Sequence, residues 1–168
     1  MCFSRKRSEI IDGIEIRGTP RFRSRTRESL GSLRNTAEFE LIRACLGVIR
    51  QGRRSGMKAW ADKPTFVVGK ATWEHSALWY AGAIAHDAFH AKLYLEAKKS
   101  CTEKNPDADA WTGTASEKQC LSFQRRILAR LGADEKTLAY IDECEKNPTY
   151  QGRHEGWKSW LDYLRRRW

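Results

Sequence analysis

Residues 72–99, TWEHSALWYAGAIAHDAFHAKLYLEAKK, form the longest regular pattern in this chain of 168 residues. Alanines recur at short intervals among leucines, an isoleucine and aromatic residues. That composition favours a helix whose small side chains allow close packing against neighbouring elements. We therefore predict a long central helix over this stretch and expect the rest of the fold to pack around it.

Shorter patterns upstream of this helix predict a small sheet. The stretch Glu9–Thr19 alternates apolar and polar residues about a central Asp-Gly pair, which predicts a short hairpin followed by a basic, serine-rich connection. The run Thr65–Val68 lies between a proline and a glycine and predicts a strand. Because proline cannot donate to a strand ladder, we expect this strand to lie at an edge, paired on one side only.

Four further segments have the apolar spacing of helices. They are residues 36–50, 114–131, 134–145 and 156–168. Together with the strands they predict an α+β domain that is mostly helical, with a small sheet.

Length and composition indicate a single domain. A hydrophobic content of 40 % in 168 residues is enough to close one core. The charged fraction of 31 % comes with 11 % aromatic residues, which excludes a disordered chain. We expect one domain over residues 1–168, comprising a basic N-terminal segment (1–35), a core (36–145) and a C-terminal tail helix (146–168).

The net charge of +10 is concentrated at the two ends of the chain. Basic runs occur at residues 5–7, 21–27 and 165–167. A field of this sign attracts nucleic acid, anionic lipid or acidic protein surface without selecting among them. A nucleic acid or an acidic partner is therefore one expectation for the basic ends, and a simple solvated surface is the other.

Cysteine usage and apolar runs indicate the compartment. The five cysteines are widely spaced and form no CxxC pair, which is typical of a reducing compartment. No apolar run approaches the roughly 20 residues of a membrane helix, and residues 1–9 lead into no apolar core. We expect neither a membrane span nor a signal peptide, and a cytoplasmic location, with export by a non-classical route left open. Nothing in the sequence indicates an oligomeric state.

Two histidines stand in the central helix, in the segment His86-Asp87-Ala88-Phe89-His90. Residues four apart lie on one helical face, about 6 Å apart along the axis, so both imidazoles can bind one metal ion. Their neighbours are apolar, and buried polar side chains need partners. The pair predicts a zinc site, and a pair of ordinary surface histidines is the alternative.

The segment WYAGAIAHDAFHAKLY (residues 79–94) resembles the active-site helix of zincin metallopeptidases, whose motif is HExxH. A strand upstream of this helix and a second helix carrying a glutamate follow the element order of gluzincin-type members. The resemblance covers residues 60–132. It implies a minimal zincin-like architecture and a zinc-dependent peptidase that hydrolyses a peptide or protein through a metal-activated water.

The resemblance also implies roles for individual residues. His86 and His90 resemble the two zinc-binding histidines, and Asp87 stands where the family has its general-base glutamate. Aspartate is one methylene shorter, which moves the carboxylate by about 1 Å or more. A metal site without peptidase activity is therefore the alternative, with Asp87 as a hydrogen-bonding or exposed carboxylate.

The expected third ligand is Glu117, near the start of the second helix. The segment Thr114–Glu117 also fits a capping box, in which the glutamate reaches back to the helix N-terminus. Other candidate ligands are Asp107, Asp109 and His154.

Several further residues are candidates for supporting roles. By the resemblance, the edge strand formed by Thr65, Phe66, Val67 and Val68 pairs with an extended substrate. The hydroxyl of Tyr80 or Tyr150 is a candidate for oxyanion stabilisation, and Gln124 for a hydrogen bond to a ligand. Cys120 is expected to be a small buried side chain rather than a thiolate ligand.

A second function from another class fits the same residues. In it the metal site only stabilises the fold, and the protein is a non-catalytic basic module that binds nucleic acid or a protein partner through its ends. An open coordination position at the metal separates the peptidase from this alternative.

Overall fold

A computed structural model describes residues 8–146 of the chain. Helices hold 59 % of these residues and the remainder includes one five-stranded sheet, which confirms the predicted α+β fold dominated by helices. Several sequence predictions lie outside the described residues. They are the tail helix, Tyr150, His154 and the basic runs at residues 5–7 and 165–167.

The N-terminal hairpin is present as predicted. Strands β1 (Ser8–Ile11) and β2 (Ile14–Arg17) are antiparallel and joined by Asp12 and Gly13, whose φ angles are 52° and 85°. Two consecutive positive φ angles are typical of the tight hairpin turns that favour the Asp-Gly sequence.

The sheet continues with strands β3 (Val48–Gln51), β4 (Gly56–Lys58) and β5 (Thr65–Val68), in the order β1-β2-β3-β5-β4. Strand β5 is parallel to β3 on one side and antiparallel to β4 on the other. The prediction that β5 lies at an edge is therefore wrong. Pro64 precedes the strand, and only its carbonyl oxygen joins the ladder, accepting from Val48 at 3.0 Å.

The segment after the hairpin is a helix, α1 (Pro20–Leu33), and not the basic connection that the sequence predicted. Thr19 caps it by accepting the N–H of Phe22 at 3.3 Å, and Pro20 occupies the first helical position. The face toward the core carries Phe22, Thr26, Ser29, Leu30 and Leu33. Apolar residues of both the hairpin and α1 thus contribute to the main hydrophobic core.

The predicted helix over residues 36–50 is only half correct. Helix α2 spans Phe39–Cys45, and the chain then turns into β3, which lies between β2 and β5. Val48 and Ile49 are buried in this central strand. Pairing on both sides of the strand outweighs the helical spacing of these β-branched residues.

The central helix is confirmed. A short helix, α3 (Lys70–Trp73), precedes α4 (Ala77–Ser100), whose cap Ser76 accepts the N–H of Trp79 at 3.0 Å. Helix α4 packs against α1, α2 and the later helix α6 (Thr114–Arg130). A Cβ at Gly82 would lie 2.9 Å from Leu128 of α6, so glycine permits the close approach of these two helices.

The C-terminal half of the described chain is helical, as predicted. The polar loop after α4 contains a short helix, α5 (Asp109–Thr112), and α6 is followed by α7 (Glu135–Lys146). Gly132 ends α6 with a φ of 79°. Among the described residues, no helix is both long enough and apolar enough to span a membrane.

Candidate metal centre

Three predicted ligands come together between helices α4 and α6. His86 and His90 lie one turn apart on α4, and Glu117 faces them from α6. The two Nε2 atoms are 3.1 Å apart. Glu117 Oε2 lies 3.1 Å from His90 Nε2, and its Oε1 lies 3.3 Å from His86 Nε2. All three side chains are buried.

These separations fit one tetrahedral ion. Zinc takes nitrogen and oxygen ligands at about 2.0–2.1 Å, which places neighbouring ligand atoms of a tetrahedron about 3.3 Å apart. The three distances, 3.1, 3.1 and 3.3 Å, lie close to that value, with Glu117 presenting Oε2 to His90 and Oε1 to His86. The donor set of two imidazoles and one carboxylate is also one that zinc uses when a fourth position stays open.

The backbone of α5 orients one of the two imidazoles. His90 Nδ1 donates to the carbonyl oxygen of Trp111 at 2.6 Å, which directs Nε2 toward Glu117. A hydrogen bond of this kind at the outer nitrogen fixes the ring orientation of metal-binding histidines. His86 Nδ1, in contrast, is buried without a hydrogen-bond partner among residues 8–146.

Glu117 is not a helix cap. The N-cap of α6 is Gly113, and no side chain caps this helix end. Because Thr114 is the first helical residue, the capping-box alternative is wrong. Burial by itself raises the pKa of Glu117, but its hydrogen bonds with His86 and His90 outweigh burial and hold the pKa well below its usual range.

Cys120 is buried as predicted, but it also lies beside the histidines. One ligand atom each of His86, His90 and Cys120 lies within 4.8 Å of the other two, which makes a second donor set. Burial raises the pKa of the Cys120 thiol. Glu117 is already anionic and within 3.3 Å of both imidazoles. It is therefore the better third ligand in this geometry.

The environment of His90 favours its charged form. Burial alone would lower the pKa of His90, but the side chains of Cys120 and Glu117 outweigh burial and raise it to about 11. Without a metal, His90 therefore keeps its proton at neutral pH and pairs with the Glu117 carboxylate.

Asp87 lies in the wall of a cavity of about 470 Å³, beside both histidines. Its carboxylate makes no hydrogen bond within the described part of the chain, so the hydrogen-bonding alternative finds no partner there. Burial raises the pKa of Asp87 to about 6, although His86 and His90 lower it in part. A carboxylate with a pKa near neutrality is suited to accept and return a proton.

Strand β4 also contributes to the wall of this cavity. Gly56 and Met57 line it, and β4 is one of the two edge strands of the sheet. Thr65–Val68 is enclosed between two strands, so its backbone has no free side for a substrate. The resemblance implied that Thr65–Val68 is an edge strand, but the edge strand next to it is β4. With only three residues, β4 was too short to be predicted from the sequence pattern.

Aromatic residues from distant parts of the chain complete the cavity, and the sequence analysis did not identify them as site residues. Trp60 and Trp111 pack edge to face with ring centroids 5.7 Å apart, and Trp79 packs against Tyr140. Gln124 is buried and also lines the cavity, so its predicted role stays open.

The other predicted site residues lie elsewhere. Asp107 and Asp109 are exposed, and Asp107 accepts the backbone N–H of Asp109 at 2.9 Å rather than facing the histidines. The hydroxyl of Tyr80 is buried against Thr26 at 2.9 Å, so its expected role at an oxyanion is wrong.

The geometry therefore brings together His86, Asp87, His90 and Glu117 from the sequence-predicted set, and adds Cys120 as an alternative donor. The neighbouring edge strand and aromatic walls complete the candidate centre. No family model matches the chain, and no curated protein or solved structure is significantly similar to it.

Proposed function

We propose that this protein is a zinc-dependent metallopeptidase with a zincin-like architecture. The observation that carries the proposal is the convergence of His86, His90 and Glu117 next to a cavity. The two Nε2 atoms lie 3.1 Å apart, and each lies 3.1–3.3 Å from one oxygen of Glu117. Those three side chains would hold the ion. When bound, zinc supplies Lewis-acid activation of a water molecule and of the scissile carbonyl.

Asp87 would act as the general base. It lies in the cavity wall next to His86, and no hydrogen bond to another described residue holds its carboxylate away from the cavity. It would accept a proton from the attacking water and return it to the amine that leaves. A carboxylate at this place could do both.

The free edge of β4 would hold the substrate backbone. An extended peptide can add a strand to an exposed sheet edge through main-chain hydrogen bonds. Gly56 and Met57 of that edge line the same cavity as Asp87. A peptide paired with β4 would therefore pass in front of the histidines.

A structural metal site is the competing function, and Cys120 is the observation that favours it. If the thiol joined both histidines and Glu117, four protein ligands would surround the ion and no position would remain for substrate or water. Such a centre would stabilise the fold without turnover.

Elemental mass spectrometry on zinc-loaded protein tests the ligand set. We expect about one zinc per chain in the wild type and in the control Glu103→Ala, which removes an exposed carboxylate. His90→Ala and Glu117→Ala should lose the metal. Retention of zinc by Glu117→Ala together with its loss from Cys120→Ser would favour the structural site. A wild type that binds no zinc would exclude both functions.

A further inference from the structure

A second cavity adjoins the metal-facing one along strand β4. It has a volume of about 740 Å³ and shares Ser55, Gly56, Met57 and Trp60 with the first cavity. The two therefore adjoin at β4, and the second extends from there across β5 and β3, since Val67, Arg50 and Gln51 also line it. A chain bound at this edge and in front of the histidines would extend into the second cavity.

The second cavity is lined by basic side chains. Arg50, Arg53, Arg54 and Lys58 are all exposed, and no aspartate or glutamate lines the cavity. Within residues 8–146 these four side chains form no ion pair. Other surface arginines do, for example Arg130 with Glu38 at 2.8 Å. The four cations near β4 are thus left available for an external anion.

We propose that the substrate is an acidic polypeptide segment, whose backbone pairs with β4 while its aspartate or glutamate side chains bind Arg53, Arg54 and Lys58. This inference rests on the proposed peptidase function and names its substrate class. Arginine binds carboxylates with two parallel hydrogen bonds, which gives the interaction direction as well as charge.

The position of the basic cluster favours a peptide over a nucleic acid. Arg53, Arg54 and Lys58 lie just before or at the end of β4, an edge strand whose unpaired backbone groups match those of another polypeptide chain. The first cavity is walled by Met57, Trp60 and Trp111, which suits an apolar side chain of the same peptide. We therefore expect acidic residues on one side of the cleaved bond.

A cleavage experiment tests the inference with a proteome-derived peptide library and zinc-loaded protein. We expect aspartate and glutamate to be enriched roughly tenfold within a few residues of the cleaved bonds, since several carboxylate–cation pairs act together. Arg53→Glu/Arg54→Glu should abolish that enrichment. The matched control Lys99→Glu/Lys104→Glu makes the same change in net charge at exposed lysines that do not line either cavity. This control should preserve the enrichment.

A binding experiment separates this inference from the peptidase function. Fluorescence anisotropy would compare the affinities of two labelled decapeptides. One carries three aspartates, and the other carries three asparagines at the same positions. The wild type should bind the aspartate peptide about tenfold more tightly, and less so at high salt. The preference should disappear in Arg53→Glu/Arg54→Glu and persist in the lysine control.

The outcomes are distinguishable. Cleavage without any acidic preference would overturn the inference and leave the peptidase function standing. Binding of the acidic peptide without cleavage of any library member would support recognition of acidic peptides at the second cavity and contradict the peptidase function. Tighter binding of a labelled single-stranded DNA decamer, dependent on the same arginines, would overturn the peptide assignment.

Discussion

In the proposed peptidase, catalysis depends on Asp87 as the general base. Asp87→Asn keeps the shape of the side chain but cannot accept a proton. We expect kcat/KM to fall by about 10²–10⁴-fold with zinc still bound, because general-base catalysis contributes a factor of that size. Peptide hydrolysis assays paired with metal analysis check this. An Asp87→Asn variant with unchanged activity would remove Asp87 from the mechanism.

The length of the Asp87 side chain makes a second test possible. Asp87→Glu restores the glutamate of the HExxH motif of the zincin family and moves the carboxylate about 1 Å further into the cavity. We expect at least the activity of the wild type, measured as kcat/KM on the same peptide. A loss as large as that of Asp87→Asn would mean that the centre is built around the shorter carboxylate.

The protonation of His90 and Glu117 predicts how pH acts on the metal-free protein. The raised pKa of His90 contributes stability that is full below its ordinary value of 6.5 and is lost as pH rises toward about 11. The lowered pKa of Glu117 contributes stability that is full above its ordinary 4.5 and falls with further acidification. Metal-free protein should therefore unfold at lower temperature at pH 9 than at pH 6.

Zinc should reverse that trend, because the ion must displace the proton on His90 Nε2. We expect binding near pH 7 to release about one proton per chain. Calorimetry in buffers of different ionisation enthalpy measures this number. A value near zero would contradict the charged state assigned to His90 in the metal-free protein.

The histidine pair was predictable from local sequence, because the spacing of residues on one helical face is a property of the helix alone. Glu117 lies on another helix and was expected only from the resemblance, with a capping box as the alternative. The carbonyl oxygen of Trp111 was not, since it reaches His90 only through the placement of the short helix α5. Cys120 was correctly expected to be buried, but its position beside the imidazoles depends on how α6 packs on α4.

Among the elements, the contact between α4 and α6 sets the geometry of the candidate centre, because His86 and His90 lie on α4 and Glu117 lies on α6. Gly82→Ala would place a methyl group 2.9 Å from Leu128 and push the helices apart. We expect a loss of about 1 kcal/mol in the free energy of unfolding and weaker zinc binding. Denaturant unfolding and zinc titration measure the two effects.

Gly31→Ala is the matched control. Its Cβ would meet nothing within 4 Å on helix α1. Alanine should therefore stabilise the protein by about 0.4–1 kcal/mol by restricting the unfolded chain. If both variants behaved alike, the close approach of α4 and α6 would not depend on Gly82.

The elements that sequence patterns missed share a physical cause. Helix α1 was hidden by its arginines, which cover the outer face while Phe22, Leu30 and Leu33 face the core. Strand β3 has helical spacing but pairs with β2 and β5, and β5 became internal when β4 paired with it. Such long-range pairings depend on the whole sheet and leave little trace in a short window of sequence.

At the scale of the whole molecule, the metal would join helices from different parts of the chain. Zinc at a hundredfold excess over its dissociation constant should stabilise the native state by about 2.7 kcal/mol. For a domain of this size we expect Tm to rise by about 5–10 °C. His86→Ala should show no such rise. An equal rise in that variant would place the zinc elsewhere.

Zinc K-edge X-ray absorption on the equimolar zinc protein tests the central claim most directly, because it measures the ligand shell itself. The proposed centre should show nitrogen and oxygen neighbours at about 2.0–2.1 Å, with imidazole scattering and no sulfur. A sulfur neighbour at about 2.3 Å would show that Cys120 or another thiol binds the ion, and would contradict the open His86–His90–Glu117 centre.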